Sequence, residues 1–236
     1  MTGTSLEAVV FDWGGTLTPF HDVDLLDLWR AAARRLAPER AEEVAAALLA
    51  AEQRWWDEAV AHGRSGTTHD VVRAAAAATG LDVPAELHDA ALLAHLDAWT
   101  PHTRTLPEVA PLLTELRGRG LKIGLLSNTH WPRQWHEHWL ARDGVLELID
   151  ARVYTSDLPW LKPHRQAFDA VLAALGGVEP ARAVFVGDRP FDDISGAKNA
   201  GMRAVLIPND AVPGYDVVPD ATITRLPDLP AVLAGW

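Results

Sequence analysis

The stretch VVFDWGGTLTP, residues 9–19, runs from a short apolar segment into a carboxylate, Asp12, and then through Trp13 to the paired glycines Gly14 and Gly15. Short, β-branched and punctuated by glycine, residues 7–12 (EAVVFD) predict a buried strand ending on Asp12. An acidic side chain at that place is a candidate for chemistry, because open parallel sheets bind ligands beyond the carboxyl ends of their strands.

Beyond residue 19 the chain changes character twice. Residues 20–104 hold LLDLWRAAARRLA, RAEEVAAALLAAEQRWWDEAVA, DVVRAAAAA and AELHDAALLAHLDAW, all Ala/Leu-rich with apolar residues at helical spacing. No convincing strand interrupts them, so this section reads as an all-helical insertion, with Trp55 and Trp56 in its core. From about residue 105 helices alternate with apolar runs: LKIGLLS (121–127), ARVYTS (151–156), ARAVFVGD (181–188), MRAVLIP (202–208) and a weaker ATITR (221–225). Strand–helix alternation predicts an α/β fold, a Rossmann-like doubly wound parallel sheet with helices on both faces. The expected division is a core of residues 1–19 and 105–236 and a helical insertion of residues 20–104.

Composition narrows the functional classes. With 48% hydrophobic residues in 236, the chain can bury a sizeable core. It has no cysteine, which excludes disulfides and thiolate metal sites. A formal charge of -11 argues against nonspecific nucleic-acid binding and requires a local positive site for any anionic substrate. No apolar stretch approaches the roughly 20 residues of a membrane helix, and the first residues lack a basic n-region and an apolar h-region. The expectation is a cytoplasmic protein without membrane or nucleic-acid partners.

Polar residues recur just past the apolar runs. Asp12 follows AVVF, Ser127 follows IGLL, Lys162 lies in the loop after the third strand, and Asp188 follows VFVG with Asp192 and Asp193 close behind. Only three lysines occur in the chain, Lys122, Lys162 and Lys198, against 21 cationic side chains in all. A lysine in that loop hints at a geometric requirement. Two carboxylates about 4 Å apart repel by about 4 kcal/mol at an effective dielectric near 20. If Asp12, Asp188 and Asp193 converge, they need a cation, and Mg²⁺ suits carboxylates, waters and phosphate oxygens. Ser127 would then hydrogen-bond a phosphoryl oxygen.

FDWGGTL, LLSNT, LKP and VGDRPFDDISGAKNAG occur in an order and spacing that resembles the haloacid dehalogenase superfamily, and residues 20–104 lie where many of its members carry a helical cap. The resemblance implies a Mg²⁺-dependent hydrolase of a small phosphomonoester. It implies Asp12 as the nucleophile of a phospho-aspartyl intermediate. It implies Mg²⁺ held by Asp12, the Gly14 carbonyl and Asp188, with Asp193 as a further or water-mediated ligand. Asp192 stands at a position that is often not a ligand and is not assigned to the metal. Ser127 matches the hydroxyl that holds the phosphoryl group, helped by the Asn128 amide, and Lys162 matches the lysine that neutralises nucleophile and phosphate. The implied partner is a small phosphorylated metabolite, and the protein a monomer or homodimer.

Gly14 departs from the pattern, since phosphatases of the family usually carry there a second aspartate that protonates the leaving group and activates water. General acid–base help is worth about 10²–10⁴-fold. A slow enzyme, a substrate with a good leaving group, or a donor from elsewhere would each answer the gap, and His21, Asp22 and His130 are candidates by position. A Schiff-base chemistry like that of phosphonoacetaldehyde hydrolases fails, because the insertion has no lysine. Metal-independent carbon–halogen hydrolysis at Asp12 is an alternative, opposed by the grouped carboxylates. A phosphate-binding or regulatory protein with little turnover is another.

Trp131, Trp135 and Trp139 recur every fourth residue and share a helical face, either packing on the core or offering a substrate platform. His136 and His138 are expected to be solvated, and Arg30, Arg34, Arg35 and Arg54 are the cap cations available to face the site.

Overall fold

The computed structural model describes residues 5–20 and 23–236. His21 and Asp22 lie outside the described residues. The first strand, β1 (Ala8–Phe11), is wholly buried and central. It pairs in parallel with β2 (Lys122–Ser127) on one side and with β4 (Ala183–Gly187) on the other. β3 (Ala151–Tyr154) lies beyond β2, and β5 (Arg203–Leu206) and β6 (Ala221–Thr222) lie beyond β4. The resulting order is β3-β2-β1-β4-β5-β6, all parallel. The chain leaves β1 in both directions across the sheet, so a crevice opens at the carboxyl end of β1.

Alternation along β1 splits the core into two layers. Val9 and Phe11 join Leu113 of α5 (Val109–Gly118), Trp139 of α6 (Arg133–Arg142) and Leu229 of α9 (Leu229–Leu233). Ala8 and Val10 face Phe168 of α7 (Arg165–Ala174) and Ala197 of α8 (Gly196–Ala200). Helices thus cover both faces, and the strands can be continuous apolar runs. Each strand is one to three residues shorter than the run that predicts it. A wide π-type turn, Pro190–Ser195, leads from β4 into α8.

Between β1 and β2 lie α1 (Leu25–Leu36), α2 (Ala41–His62), α3 (Thr68–Thr79) and α4 (Ala85–Trp99), the helical cap. Trp29, Leu48 and Val72 lead its own apolar cluster. The cap is not packed on itself alone: Leu92 and Leu96 of α4 join the core layer that holds Trp13 and Leu17. No helix among the described residues is long and apolar enough to cross a membrane.

A buried polar network crosses from cap to core. Glu52 of α2 accepts from the Trp29 indole (2.6 Å) and pairs with His130 Nε2 (2.8 Å), while His130 Nδ1 meets the Thr68 hydroxyl (2.9 Å). The Thr68 amide donates to the His130 carbonyl at 2.7 Å. Burial alone would raise the Glu52 carboxyl, but the bonds from His130 and Trp29 hold it below its ordinary value. His130, a proton-donor candidate by position, is therefore a buried cap–core link with both ring nitrogens engaged. His136 is likewise buried, not solvated: it stacks on Tyr154 and meets Thr129, and burial pushes it down to about 3. His138 stays exposed as expected. Removing a buried partner strands the groups it served, at about 1–3 kcal/mol. Glu52→Ala should therefore lower the unfolding free energy by about that amount in a urea titration; an unchanged midpoint would contradict the network.

Candidate active site

Asp12 follows β1, and its amide donates to Val186 of the neighbouring β4 at 2.9 Å, which fixes its backbone against the next strand end. Asp188 follows β4. Ser127 closes β2, with 3% exposure, and lines the same cavity as Asp12. The third contribution comes by a loop: Lys162, 1% exposed, reaches across with its ammonium 2.7 Å from Asp12 and 2.6 Å from Asp193. Carboxylate oxygens of Asp12, Asp188 and Asp193 all lie within 4.8 Å of one another. Residues more than 170 apart in sequence are thus neighbours because three parallel strands end side by side.

Glycines make this density sterically feasible. Gly15 has a φ of +83°, and a Cβ there would collide with the Asp188 carboxylate. A Cβ on Gly187 would collide with Asp193. Gly14 differs: a Cβ there meets nothing within 4 Å. The absent acid at Gly14 is therefore not imposed by space.

Three buried carboxylates face one ammonium. At separations up to 4.8 Å, each unscreened carboxylate pair costs about 3–4 kcal/mol at an effective dielectric near 20. Burial, then the charge of Asp12, pushes the Asp188 carboxyl up; burial also pushes Asp193 up, against the pull of Lys162. Burial would lower the Lys162 ammonium, yet Asp12 and Asp193 outweigh it and raise it. One oxygen of Asp188 accepts from the Asn209 amide at 2.8 Å, and the other, Oδ1, is buried with no hydrogen-bond partner. A buried carboxylate oxygen left without a donor, beside a second carboxylate, fits a hard divalent cation. Both oxygens of Asp193 are already engaged, Oδ1 by Lys162 and Oδ2 by the Arg189 amide at 3.0 Å.

The expected residues come together. Asp12, Gly14, Ser127, Asn128 and Lys162 line one cavity of about 620 Å³, and Asp188 and Asp193 lie against Asp12. The Asn128 side chain, expected on phosphate, instead brackets the Lys162 backbone: its amide donates to the carbonyl (2.9 Å) and its oxygen accepts from the N–H (2.8 Å). Asp192, not expected in the site, lines the cavity, with its carboxyl pushed up by burial. Asn209 does not emerge from the sequence reading, although it follows β5 and the strand-end rule applies there too. Trp56, expected in the cap core, is half-buried and lines the cavity, while Trp131 precedes α6 and both packs on the core layer and lines the cavity. None of Arg30, Arg34, Arg35 and Arg54 is among the cavity-lining residues.

A model of the haloacid dehalogenase-like hydrolases matches residues 6–201. The chain belongs to that family. It is 34% identical over 151 residues to a glyceraldehyde 3-phosphate phosphatase of Methanopyrus kandleri, covering 62% of this chain and 64% of that relative. The chain thus spans a little under two thirds of that relative's length. The crystal structure of a HAD phosphatase from Thermococcus onnurineus superposes with a TM-score of 0.65 at 27% identity, covering 98% and 99% of the two chains. That of a 2-haloacid dehalogenase from Pseudomonas syringae gives 0.72 at 27% identity and the same coverage.

The surplus carboxylate has a measurable signature. A carboxyl raised above its unfolded value binds its proton more tightly when folded, so stability in chelator falls as pH climbs from the ordinary carboxylate range towards neutrality. Asp188→Asn removes one of these charges. In chelator at pH 8 it should raise Tm by about 2–4 °C, the shift that roughly 1 kcal/mol produces in a chain of this size, and flatten the pH dependence. A lower Tm would contradict the repulsion.

Proposed function

We propose that this chain is a Mg²⁺-dependent phosphomonoesterase acting on a small phosphorylated metabolite through a phospho-Asp12 intermediate. The observation that carries the reading is the excess of buried carboxylate around Asp12, with an Asp188 oxygen left without a partner. Likeness to relatives named as phosphatases supports phosphorus as the target. Asp12 attacks phosphorus. The Ser127 hydroxyl donates to a phosphoryl oxygen. Lys162 neutralises the nucleophile and the incoming phosphate, oriented by Asp193 and by the Asn128 bracket. Asp12, the Gly14 carbonyl and Asp188 would hold Mg²⁺, which supplies positive charge against the phosphoryl oxygens. Asp193 serves Lys162 in this scheme rather than the metal. The core is residues 1–19 and 105–236, and the cap, residues 20–104, closes the cavity over it.

A second reading is favoured by the likeness to a 2-haloacid dehalogenase: metal-independent attack of Asp12 on carbon. Against it, an unneutralised Asp188 would only repel the nucleophile. Assays of phosphate esters and of 2-chloropropionate, each with Mg²⁺ and with chelator, separate the two. Phosphate release that chelator abolishes, and that Asp12→Asn reduces by at least about a thousandfold, is the expected result. Chelator-insensitive halide release would establish the dehalogenase instead, and tight phosphate binding without turnover would establish a binding protein. Gly14→Asp, whose Cβ would meet nothing within 4 Å, should speed hydrolysis of alkyl phosphates by about 10²–10⁴-fold if an acid is missing.

A further inference from the structure

We infer that the substrate's leaving group is an uncharged aromatic alcohol, so that the preferred ester is an aryl phosphate. The inference rests on the phosphatase reading and deepens it. Two independent features of the cavity lead to it.

The first is the wall. Beside the polar floor of Asp12, Ser127 and Lys162, the cavity is faced by Trp13, Trp56, Trp99 and Trp131. The rings are held by aromatic neighbours: Trp13 stacks on buried Trp139 (5.8 Å between centroids, planes 12° apart), Trp131 packs on Trp99 at 4.9 Å, and Trp56 meets Trp55 edge-on at 4.6 Å. Such a wall is preformed, so a ring entering it meets little ordering cost. At the cavity's edge Phe20 and Val60 are 49% and 57% exposed. Apolar side chains left in water beside a cavity are those a bound apolar group would cover. A three-carbon polar leaving group would leave most of the 620 Å³ to water.

Charge selects in the same direction. The cavity-lining cations of lysine and arginine type are Lys162, held by two carboxylates, and Arg189, 3.7 Å from Asp192. Among the described residues, no arginine of the cap lines the cavity. A carboxylate or second phosphate on the leaving group would meet Lys162 already held by two carboxylates and Arg189 already facing Asp192.

The second feature is Gly14. An alkoxide leaves slowly unless an acid protonates it. Of the titratable groups that also line the cavity, Glu52 and His130 are engaged with each other, with Trp29 and with Thr68, His136 meets Thr129, and Asp192 faces Arg189. A phenol, with a pKa of about 10 as in tyrosine, departs as the oxide unaided. In the first step the bond from an Asp12 oxygen to phosphorus forms while the bond from phosphorus to the aryl oxygen breaks. The oxide carries off the electron pair and takes its proton from water. Water then hydrolyses phospho-Asp12, releasing phosphate and restoring the carboxylate. The acid missing at Gly14 and the aromatic wall therefore answer the same substrate.

The test is a panel of phosphomonoesters with Mg²⁺: 2-naphthyl, phenyl, glycerol, serine and choline phosphates. The expected kcat/KM for 2-naphthyl phosphate exceeds that for glycerol phosphate by at least a hundredfold, and exceeds that for phenyl phosphate, whose leaving group is similar, through a lower KM. In the wild type, 2-naphthol should inhibit competitively at concentrations where glycerol has no effect. Trp56→Ala should lower kcat/KM for 2-naphthyl phosphate at least tenfold through KM. Gly14→Asp should accelerate glycerol phosphate far more than 2-naphthyl phosphate. Equal rates across the panel, a preference for serine, glycerol or choline phosphate, or no inhibition by naphthol overturns the inference and leaves the phosphatase reading standing. Failure of every ester to release phosphate overturns the phosphatase reading, and the inference with it.

Discussion

The Lys162 ammonium, buried between Asp12 and Asp193, is the contact on which the arrangement turns. A buried ammonium is tolerable only when paired and hydrogen-bonded, and losing either carboxylate would remove one of the two charges that offset its desolvation. The pairing requires β1, the loop after β3 and the turn after β4 to meet at one point. Asn128 adds the last constraint, bracketing the Lys162 backbone from the end of β2. The sheet order, with β1 flanked by β2 and β4, is what brings these segments together.

One ammonium does not balance three carboxylates, and the remaining imbalance is where function enters. Asp188 is pressed against Gly15, held by Asn209 on one oxygen and by nothing on the other. Such an arrangement costs stability, as functional sites commonly do. The cap and core enclose the cavity above this floor, and the Glu52–His130 pair ties the two together. The floor prefers phosphoryl oxygens and a cation; the walls prefer carbon.

Much of this is legible in residues 9–19 and in the polar residues after each later strand. β-Branched runs closed by Gly or Asp report strands because only a buried parallel sheet accepts them, and the ligand side is set by strand direction. The features that are not legible depend on distance between segments. His130 and His136 look like solvated loop and helix residues, since their partners Glu52 and Tyr154 lie elsewhere in the chain. Asn128 reads as a phosphate ligand until Lys162 is seen to use both ends of its amide. Trp56 looks like cap core because a helix pattern tells which face is apolar, not whether that face meets protein or a cavity. Asn209 is within reach of sequence reasoning, standing just past β5 where the same rule finds Asp12 and Asp188 at their own strand ends.

The central claim is that the buried carboxylates around Asp12 are completed by a divalent cation. Calorimetric titration of Mg²⁺ into the chelator-stripped protein at neutral pH tests it directly. The account predicts one saturable site, binding accompanied by proton release because Asp188 and Asp193 are held above their ordinary values, and loss of that site in Asp188→Asn. Absence of any binding heat or competition at millimolar Mg²⁺, or a site unaffected by Asp188→Asn, would contradict it.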